Sequence, residues 1–253
     1  MDQQWMLLGG FALLLAGALV TWALGGAGRR ADVARKLALA VVAGGGACFL
    51  SVAASVLGGH GTLGPVVVWQ PSLVKASLAI RVDALSAFFL LLISGLSLCA
   101  AWFAVGYTRR MARIGGFYPA LLLFVFGMAG VVVVDDFLFF FVPWEFMALS
   151  SYLLVVFHRE RPESLSAGFR YFFVTHAGTL AALLGVTMLV GHGGGGFGFE
   201  DMARAMPALL AARPVLAHLF PDPRDNAGII KLDFDLLGFE TVGLAQDEGI
   251  LKR

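Results

Sequence analysis

The chain has 253 residues, of which 59% are hydrophobic and only 14% are charged, and its formal net charge is +1. Because a soluble domain carries about a quarter of charged residues, this composition excludes an ordinary soluble protein. It predicts an all-α polytopic membrane protein in a lipid bilayer, and the near-neutral net charge predicts no nucleic-acid partner.

Six apolar stretches are long enough to predict transmembrane helices. Their predicted bounds are Trp5–Leu24, Leu37–Leu57, Ala84–Tyr107, Phe117–Val134, Asp135–Phe157 and Gly168–Val190.

The segment between the second and third spans has a different pattern. Val66–Trp69 is a short β-like run, and Leu78, Ile80 and Val82 alternate with smaller or polar residues. A period of two indicates a β-strand with one buried face. We therefore predict a small external β-hairpin between these two spans.

Basic residues cluster after the first, third and fifth spans. These residues are Arg29, Arg30, Arg35, Lys36, Arg109, Arg110, Arg113, Arg159 and Arg161. Because Lys and Arg are enriched in cytoplasmic loops, the pattern predicts six spans with an external amino terminus. The expected location is the inner (plasma) membrane.

The fifth span carries one acid, Glu145, near its middle. At about 1.5 Å per residue, Glu145 lies roughly 18 Å from Phe157 and roughly 14 Å from Asp136. An ionisable group at this depth costs at least roughly 2.5–3.5 kcal/mol, so it indicates a partner or a wet interior. Glu145 is the candidate proton-carrying acid, and Tyr152 lies on the same helix face. The structural alternative is a glutamate that only joins two helices.

Three further residues complete the candidate proton-transfer set. His176 lies in the sixth span, and its predicted depth differs from that of Glu145 by about 6 Å, a gap that one or two waters could bridge. The alternative is a histidine that only hydrogen-bonds a backbone carbonyl. Asp135 and Asp136 mark the outer boundary of the fifth span and supply the candidate outer-side charge.

We expect no cofactor and no metal. The two cysteines, Cys48 and Cys99, lie in different predicted spans and are too few for a zinc or iron–sulfur site. The chain also lacks a dinucleotide fingerprint, a phosphate-binding loop and a nucleophile–base arrangement. The sequence therefore predicts no redox or catalytic centre within this chain.

The composition changes near residue 220. Phe199–Leu210 has the pattern of an interfacial amphipathic helix, and Arg213–Phe220 begins like a seventh span. Residues 221–253 then hold 11 charged residues in 33, whereas the preceding 220 residues hold only 24. We predict a helical membrane domain over 1–220 and a polar, disordered or aberrant tail over 221–253.

Four segments carry a family resemblance: Asp83–Phe89, Phe137–Glu145, Ser150–Tyr152 and Tyr171–Thr179. On the basis of these segments, residues 1–220 resemble the amino-terminal half of the antiporter-like membrane subunits of respiratory complex I. The resemblance is nearest to component B of hydrogenase-4 and the matching formate hydrogenlyase subunit. The Trp-Glu pair at Trp144 and Glu145 is its most specific element.

The resemblance implies about fourteen spans in two inverted five-helix repeats, each forming half of a proton path. It implies that Glu145 is the glutamate of the fifth span, whose family partner is a lysine on the seventh. No lysine matches that position, since Lys231 lies in the polar tail, and the second repeat has no counterpart here. Two explanations are open for the missing lysine and the missing second repeat. The reading frame is truncated or frame-shifted, or the chain is a natural short paralogue.

Two functions follow for the chain. The first is a proton-translocating membrane subunit, or a fragment of one, in a complex I-like quinone oxidoreductase or a membrane-bound hydrogenase. Its partners would be the other membrane subunits of that complex, and partner subunits would carry the electron-transfer chemistry. The alternative is a structural subunit that packs against its partners without moving ions.

Overall fold

The computed structural model describes residues 3–25, 28–59, 61–71, 76–111, 114–157, 162–193 and 196–204. Within these ranges the chain forms six long helices, one short 3-10 turn and a two-stranded sheet. The helices are α1 Gln3–Leu24, α2 Gly28–Leu57, α3 Ala84–Tyr107, α4 Phe117–Val133, α5 Phe137–Val155 and α6 Pro162–Gly193. The strands are β1 Leu63–Trp69 and β2 Leu78–Val82, and residues 199–204 are also helical.

Each of the six predicted membrane spans is confirmed as a helix in the structure. Five of the six are long and apolar enough to cross a bilayer, and α4 is a shorter apolar helix of 17 residues. Helix α4 packs against α1, α2, α3 and α5, and it buries side chains such as Tyr118, Leu122 and Val125. This central position explains why an apolar helix of that length is stable here.

Helix α2 begins at Gly28, nine residues before the predicted start of its span at Leu37. Several of the basic residues that were assigned to a loop are therefore helical. The buried side chain of Arg35 pairs with Asp32 and donates to the carbonyl oxygen of Thr108 at 2.8 Å. These bonds satisfy the guanidinium and tie the start of α2 to the end of α3.

The predicted hairpin is confirmed. Strands β1 and β2 pair antiparallel, with Val66 opposite Ile80. Ile80 also forms a bridge with Val134, and the Asp135 amide donates to the Ala79 carbonyl at 2.9 Å. The hairpin is thereby hydrogen-bonded to the connection between α4 and α5.

Residues 1–202 form one compact unit, and a second unit covers 203–253. Only the first two residues of the second unit belong to the described ranges. The predicted domain boundary at 220, the stretch Arg213–Phe220 and the tail 221–253 lie outside the described residues, as does the second half of the predicted helix Phe199–Leu210.

Candidate functional site

The amino-terminal end of α5 is fixed by Asp136. Its Oδ1 accepts hydrogen bonds from the amides of Leu138 and Phe139 at 2.9 and 3.1 Å, which makes it the helix cap. Its Oδ2 accepts from the amide of Ser77 at 3.0 Å, and the residue is only 1% exposed. Both carboxylate oxygens therefore bind backbone N–H groups.

The neighbouring Asp135 has a different environment. Its Oδ2 lies 3.0 Å from Nε of Arg81, whose Nη2 lies 2.9 Å from Oε1 of Glu200. Burial raises the pKa of the Asp135 carboxyl, and the positive charge of Arg81 opposes that rise. Asp135 thus belongs to a charged cluster at this end of α5.

Glu145 and His176 are in direct contact across α5 and α6. Oε2 of Glu145 lies 3.1 Å from Nε2 of His176, and the side chains are 32% and 28% exposed. Glu145 lies about 12 Å from the start of α5 and about 15 Å from its end, so the pair is at mid-helix. No water is needed to join the two groups.

The water-bridged gap predicted between these residues is wrong, because their side chains are in direct contact. The predicted start of the sixth helix at Gly168 is also wrong, because α6 begins at Pro162. Proline is favoured in the first turn, where its missing amide hydrogen costs nothing. The earlier start places His176 about 21 Å along α6, near the middle of that helix.

The second imidazole nitrogen also has a partner. Nδ1 of His176 lies 2.9 Å from the carbonyl oxygen of Phe172, and the ring stacks on that of Phe172 with centroids 4.0 Å apart. A carbonyl oxygen can only accept, so Nδ1 carries a hydrogen in this contact. The carbonyl bond that we considered as the alternative role of His176 is present together with the Glu145 contact.

Next to this pair, a tryptophan joins the same two helices. Nε1 of Trp144 donates to Oγ1 of Thr179 at 3.0 Å, and that hydroxyl donates to the carbonyl of Thr175 at 3.0 Å. Thr179 is 8% exposed. Sequence reasoning did not assign a role to Thr179, although its spacing of three residues from His176 puts both on one helix face.

A third polar contact lies nearer the start of α6. The hydroxyl oxygens of Ser151 and Tyr171 are 2.7 Å apart. The ring of Tyr152, a predicted site residue, lies 5.4 Å from the ring of Phe172. Residue numbers rise along α5 as they fall along α6 in these contacts, so the two helices run antiparallel and form one polar seam.

The described ranges contain no group of three or more His, Cys, Asp or Glu residues that could hold a metal ion. The polar side chains of the seam are hydroxyls, one indole, one imidazole and one carboxyl.

Two family profiles match the chain. The profile described as NADH:quinone oxidoreductase/Mrp antiporter, TM, matches residues 134–219. The profile described as NADH-Ubiquinone oxidoreductase (complex I), chain 5 N-terminus, matches residues 69–118. The first match includes all five predicted site residues.

Similar curated proteins include Na(+)/H(+) antiporter subunit A1 of Staphylococcus aureus strain Newman, which is 34% identical over 121 residues. That alignment covers 48% of this chain and 15% of the relative. The subunit A1 of Staphylococcus haemolyticus is 30% identical over 154 residues, covering 61% and 19%. The chain thus spans less than a fifth of the length of these relatives.

Solved structures show the same fold. The Mrp complex from Dietzia sp. DQ12-45-1b matches with a TM-score of 0.63 and 23% identity, over 84% of this chain and 22% of the other. The membrane-bound sulfane sulfur reductase, an archaeal respiratory membrane complex, matches with a TM-score of 0.66 and 17% identity, over 86% and 32%.

The resemblance to antiporter-like subunits is thus confirmed by sequence profiles and by fold, whereas a specific tie to hydrogenase-4 or to an NADH dehydrogenase stays a prediction. Over residues 69–118 and 134–219, the chain thus resembles the antiporter-like membrane subunits that complex I and Mrp antiporters share.

Proposed function

We propose that this chain is a proton-translocating part of a membrane complex and that Glu145 and His176 are the residues that carry the proton. The observation that supports this most directly is the contact of 3.1 Å between Glu145 Oε2 and His176 Nε2. Two titratable groups at mid-helix, in hydrogen-bonding contact, can pass a proton between them without rotating a side chain.

The second nitrogen of His176 decides where that proton lies. Because Nδ1 holds its hydrogen on the Phe172 carbonyl, exchange is confined to Nε2. The stable pair holds one proton between Nε2 and Oε2, either as a neutral pair or as imidazolium and carboxylate. Loss of that proton leaves two lone pairs facing each other, and their repulsion opens the pair toward the next donor.

Further residues of the seam, among them the predicted Tyr152, extend the proposed route. Tyr171 precedes His176 by five residues, or about 7.5 Å of helix, and its hydroxyl contact with Ser151 supplies the next exchangeable group. Tyr152 flanks this part of the seam. At the other end of α5 we assign the outer-side charge to Asp135 with Arg81, since both oxygens of Asp136 accept backbone hydrogen bonds.

The similar proteins support the proposal that this chain transfers protons as part of a multi-subunit membrane complex. The curated relatives are named as subunits of Na(+)/H(+) antiporters, and the structural neighbours are multi-subunit membrane complexes. We therefore propose other membrane subunits as partners and the plasma membrane as the location, with the amino terminus external. Which complex is involved, quinone-linked, hydrogenase-linked or antiporter, is a further prediction.

Proton uptake by membrane vesicles that contain the chain in its own complex tests the proposal. Glu145→Gln keeps the shape and hydrogen bonding of the side chain but cannot titrate, so uptake should be abolished at an unchanged protein level. Glu145→Asp should retain part of the activity, and Glu163→Gln, an exposed acid at the start of α6, is the matched control.

The structural alternative gives the opposite result. If Glu145 only joins α5 to α6, the Gln variant should transport normally. The Ala variant should then destabilise the bundle by about 0.6–2 kcal/mol for the lost interhelical hydrogen bond. Normal uptake by Glu145→Gln would remove this residue from the mechanism. For the 253-residue chain alone we expect no coupled pumping from either version.

A further inference from the structure

We infer that the hydrogen bond from Trp144 to Thr179 sets the register of α5 against α6, so that Glu145 meets His176. Thr179 and Trp144 would then be positioning residues of the proton-transfer pair, and this inference builds on the proposed function. The bond joins Nε1 of Trp144 to Oγ1 of Thr179 at 3.0 Å, beside the contact of Glu145 with His176.

The geometry of Thr179 makes this bond directional. Its hydroxyl hydrogen is committed to the carbonyl oxygen of Thr175 at 3.0 Å, so its lone pairs are free to accept. The indole N–H can only donate. Each group therefore has one role, and the bond forms only when the two helices lie at this register.

The two contacts are close together on both helices. Trp144 and Glu145 are consecutive, and His176 and Thr179 are three residues apart, which places them on one face of α6. A slide of α6 by one helical turn would move Nε2 of His176 by about 5.4 Å along the helix axis. That displacement would break a hydrogen bond of 3.1 Å, so the register directly controls the pair.

The residues of the Trp144–Thr179 hydrogen bond also differ in charge and burial from those of the Glu145–His176 contact. Neither the indole nor the hydroxyl titrates in the physiological range, so this bond stays intact when the pair gains or loses a proton. Thr179 is 8% exposed, whereas the side chains of Glu145 and His176 are 32% and 28% exposed. The more buried and neutral contact is suited to hold the helices while the other contact opens.

The test measures the pair itself rather than transport. The full 253-residue chain, labelled with carbon-13 at glutamate Cδ and nitrogen-15 in histidine, is placed in lipid nanodiscs. Solid-state NMR then detects the dipolar dephasing of Glu145 Cδ by Nε2 of His176. The signal is assigned by its loss in Glu145→Gln, and helix content is followed by circular dichroism.

We expect Thr179→Val, which keeps the side-chain shape, and Trp144→Phe, which removes the donor, each to lose at least half of the dephasing. Thr179→Ser keeps the hydroxyl and should keep the signal. Thr187→Val is the matched control, because Thr187 is exposed and, within the described part of the chain, donates to the Leu184 carbonyl of its own helix.

The inference would be overturned if Thr179→Val and Trp144→Phe both showed the same dephasing as the parent chain. Loss of the whole bundle in both variants would also overturn it, since the bond would then hold the fold rather than the register. If the parent chain showed no dephasing, the Glu145–His176 contact would be disproved, and the inference would fail with it. If Glu145→Gln vesicles transport normally while dephasing depends on Thr179, only the proposed function fails.

Discussion

Gly127 of α4 lies directly against the backbone of Met147 in α5: a Cβ atom at Gly127 would be 2.7 Å from the Met147 amide nitrogen and 2.8 Å from the Pro143 carbonyl oxygen. At 100° per residue, Pro143 and Met147 lie on the side of α5 opposite to Glu145. The close approach of α4 to one side of α5 therefore leaves Glu145 on the side that faces α6.

Gly127→Ala should destabilise the bundle by about 1–3 kcal/mol, because backbone atoms of α5 cannot rotate away from the added methyl group. Reversible unfolding in mixed detergent micelles, followed by circular dichroism, measures the change. Gly178→Ala on α6 is the control, since among the described residues no atom outside the backbone of its own helical turns and its chain neighbours lies within 4 Å of its Cβ position. That variant should be neutral or more stable by up to about 1 kcal/mol. Equal stabilities of the two variants would contradict the close contact.

His176→Gln should lower proton uptake in vesicles by roughly tenfold or more, since an amide can hydrogen-bond Glu145 but cannot exchange its proton. His192→Gln is the control, because residue 192 lies about 24 Å further along the same helix. If proton uptake is the same in His176→Gln and His192→Gln, His176 has only a structural role. Glu145 would then act without it.

The orientation of the chain is testable with reporter fusions. From the basic clusters we expect a reporter after Arg113 or Arg161 to be cytoplasmic and one near Gly194 to be external. Activity of paired cytoplasmic and periplasmic reporters at each position gives the measurement. A periplasmic reading at Arg161 would exclude six spans with an external amino terminus.

Asp83 caps α3, since its Oδ1 accepts from the Ser86 amide at 2.8 Å. This hydrogen bond, opposed by partial desolvation, lowers the pKa of the Asp83 carboxyl. A lowered folded pKa means that its stabilisation is complete above the unfolded value of about 3.9 and is lost as the pH falls through the folded value.

At pH 7, Asp83→Ala should cost about 0.5–2 kcal/mol of stability, as for other lost caps. As the pH falls below the unfolded value of about 3.9 and through the lower folded pKa, the parent should lose this advantage over the Ala variant. Asp83→Asn is the control, because its amide oxygen caps without titrating. A difference between parent and Ala variant that does not change with pH would rule out the charged cap.

Helices and hairpin could be predicted from local pattern alone. The bounds of α3, Ala84–Tyr107, agree with the prediction because a capping aspartate precedes the apolar run and basic residues follow it. The mid-helix acid was also evident, since a charge in an apolar stretch of that length needs a partner whatever the fold. The start of α2 was not predicted, because Thr108, whose carbonyl oxygen accepts from Arg35, lies 73 residues away in the chain.

The partner of Glu145 required the tertiary structure. Sequence placed Glu145 and His176 on separate helices with a depth offset, and hydropathy cannot fix the start of α6 or its slide along α5. The antiparallel register follows from contacts such as Trp144 with Thr179, and the approach of Gly127 to α5 leaves Glu145 on the side that faces α6. Hydrophobic pattern determines that a helix crosses the bilayer, whereas directional bonds between helices determine which of its residues meet.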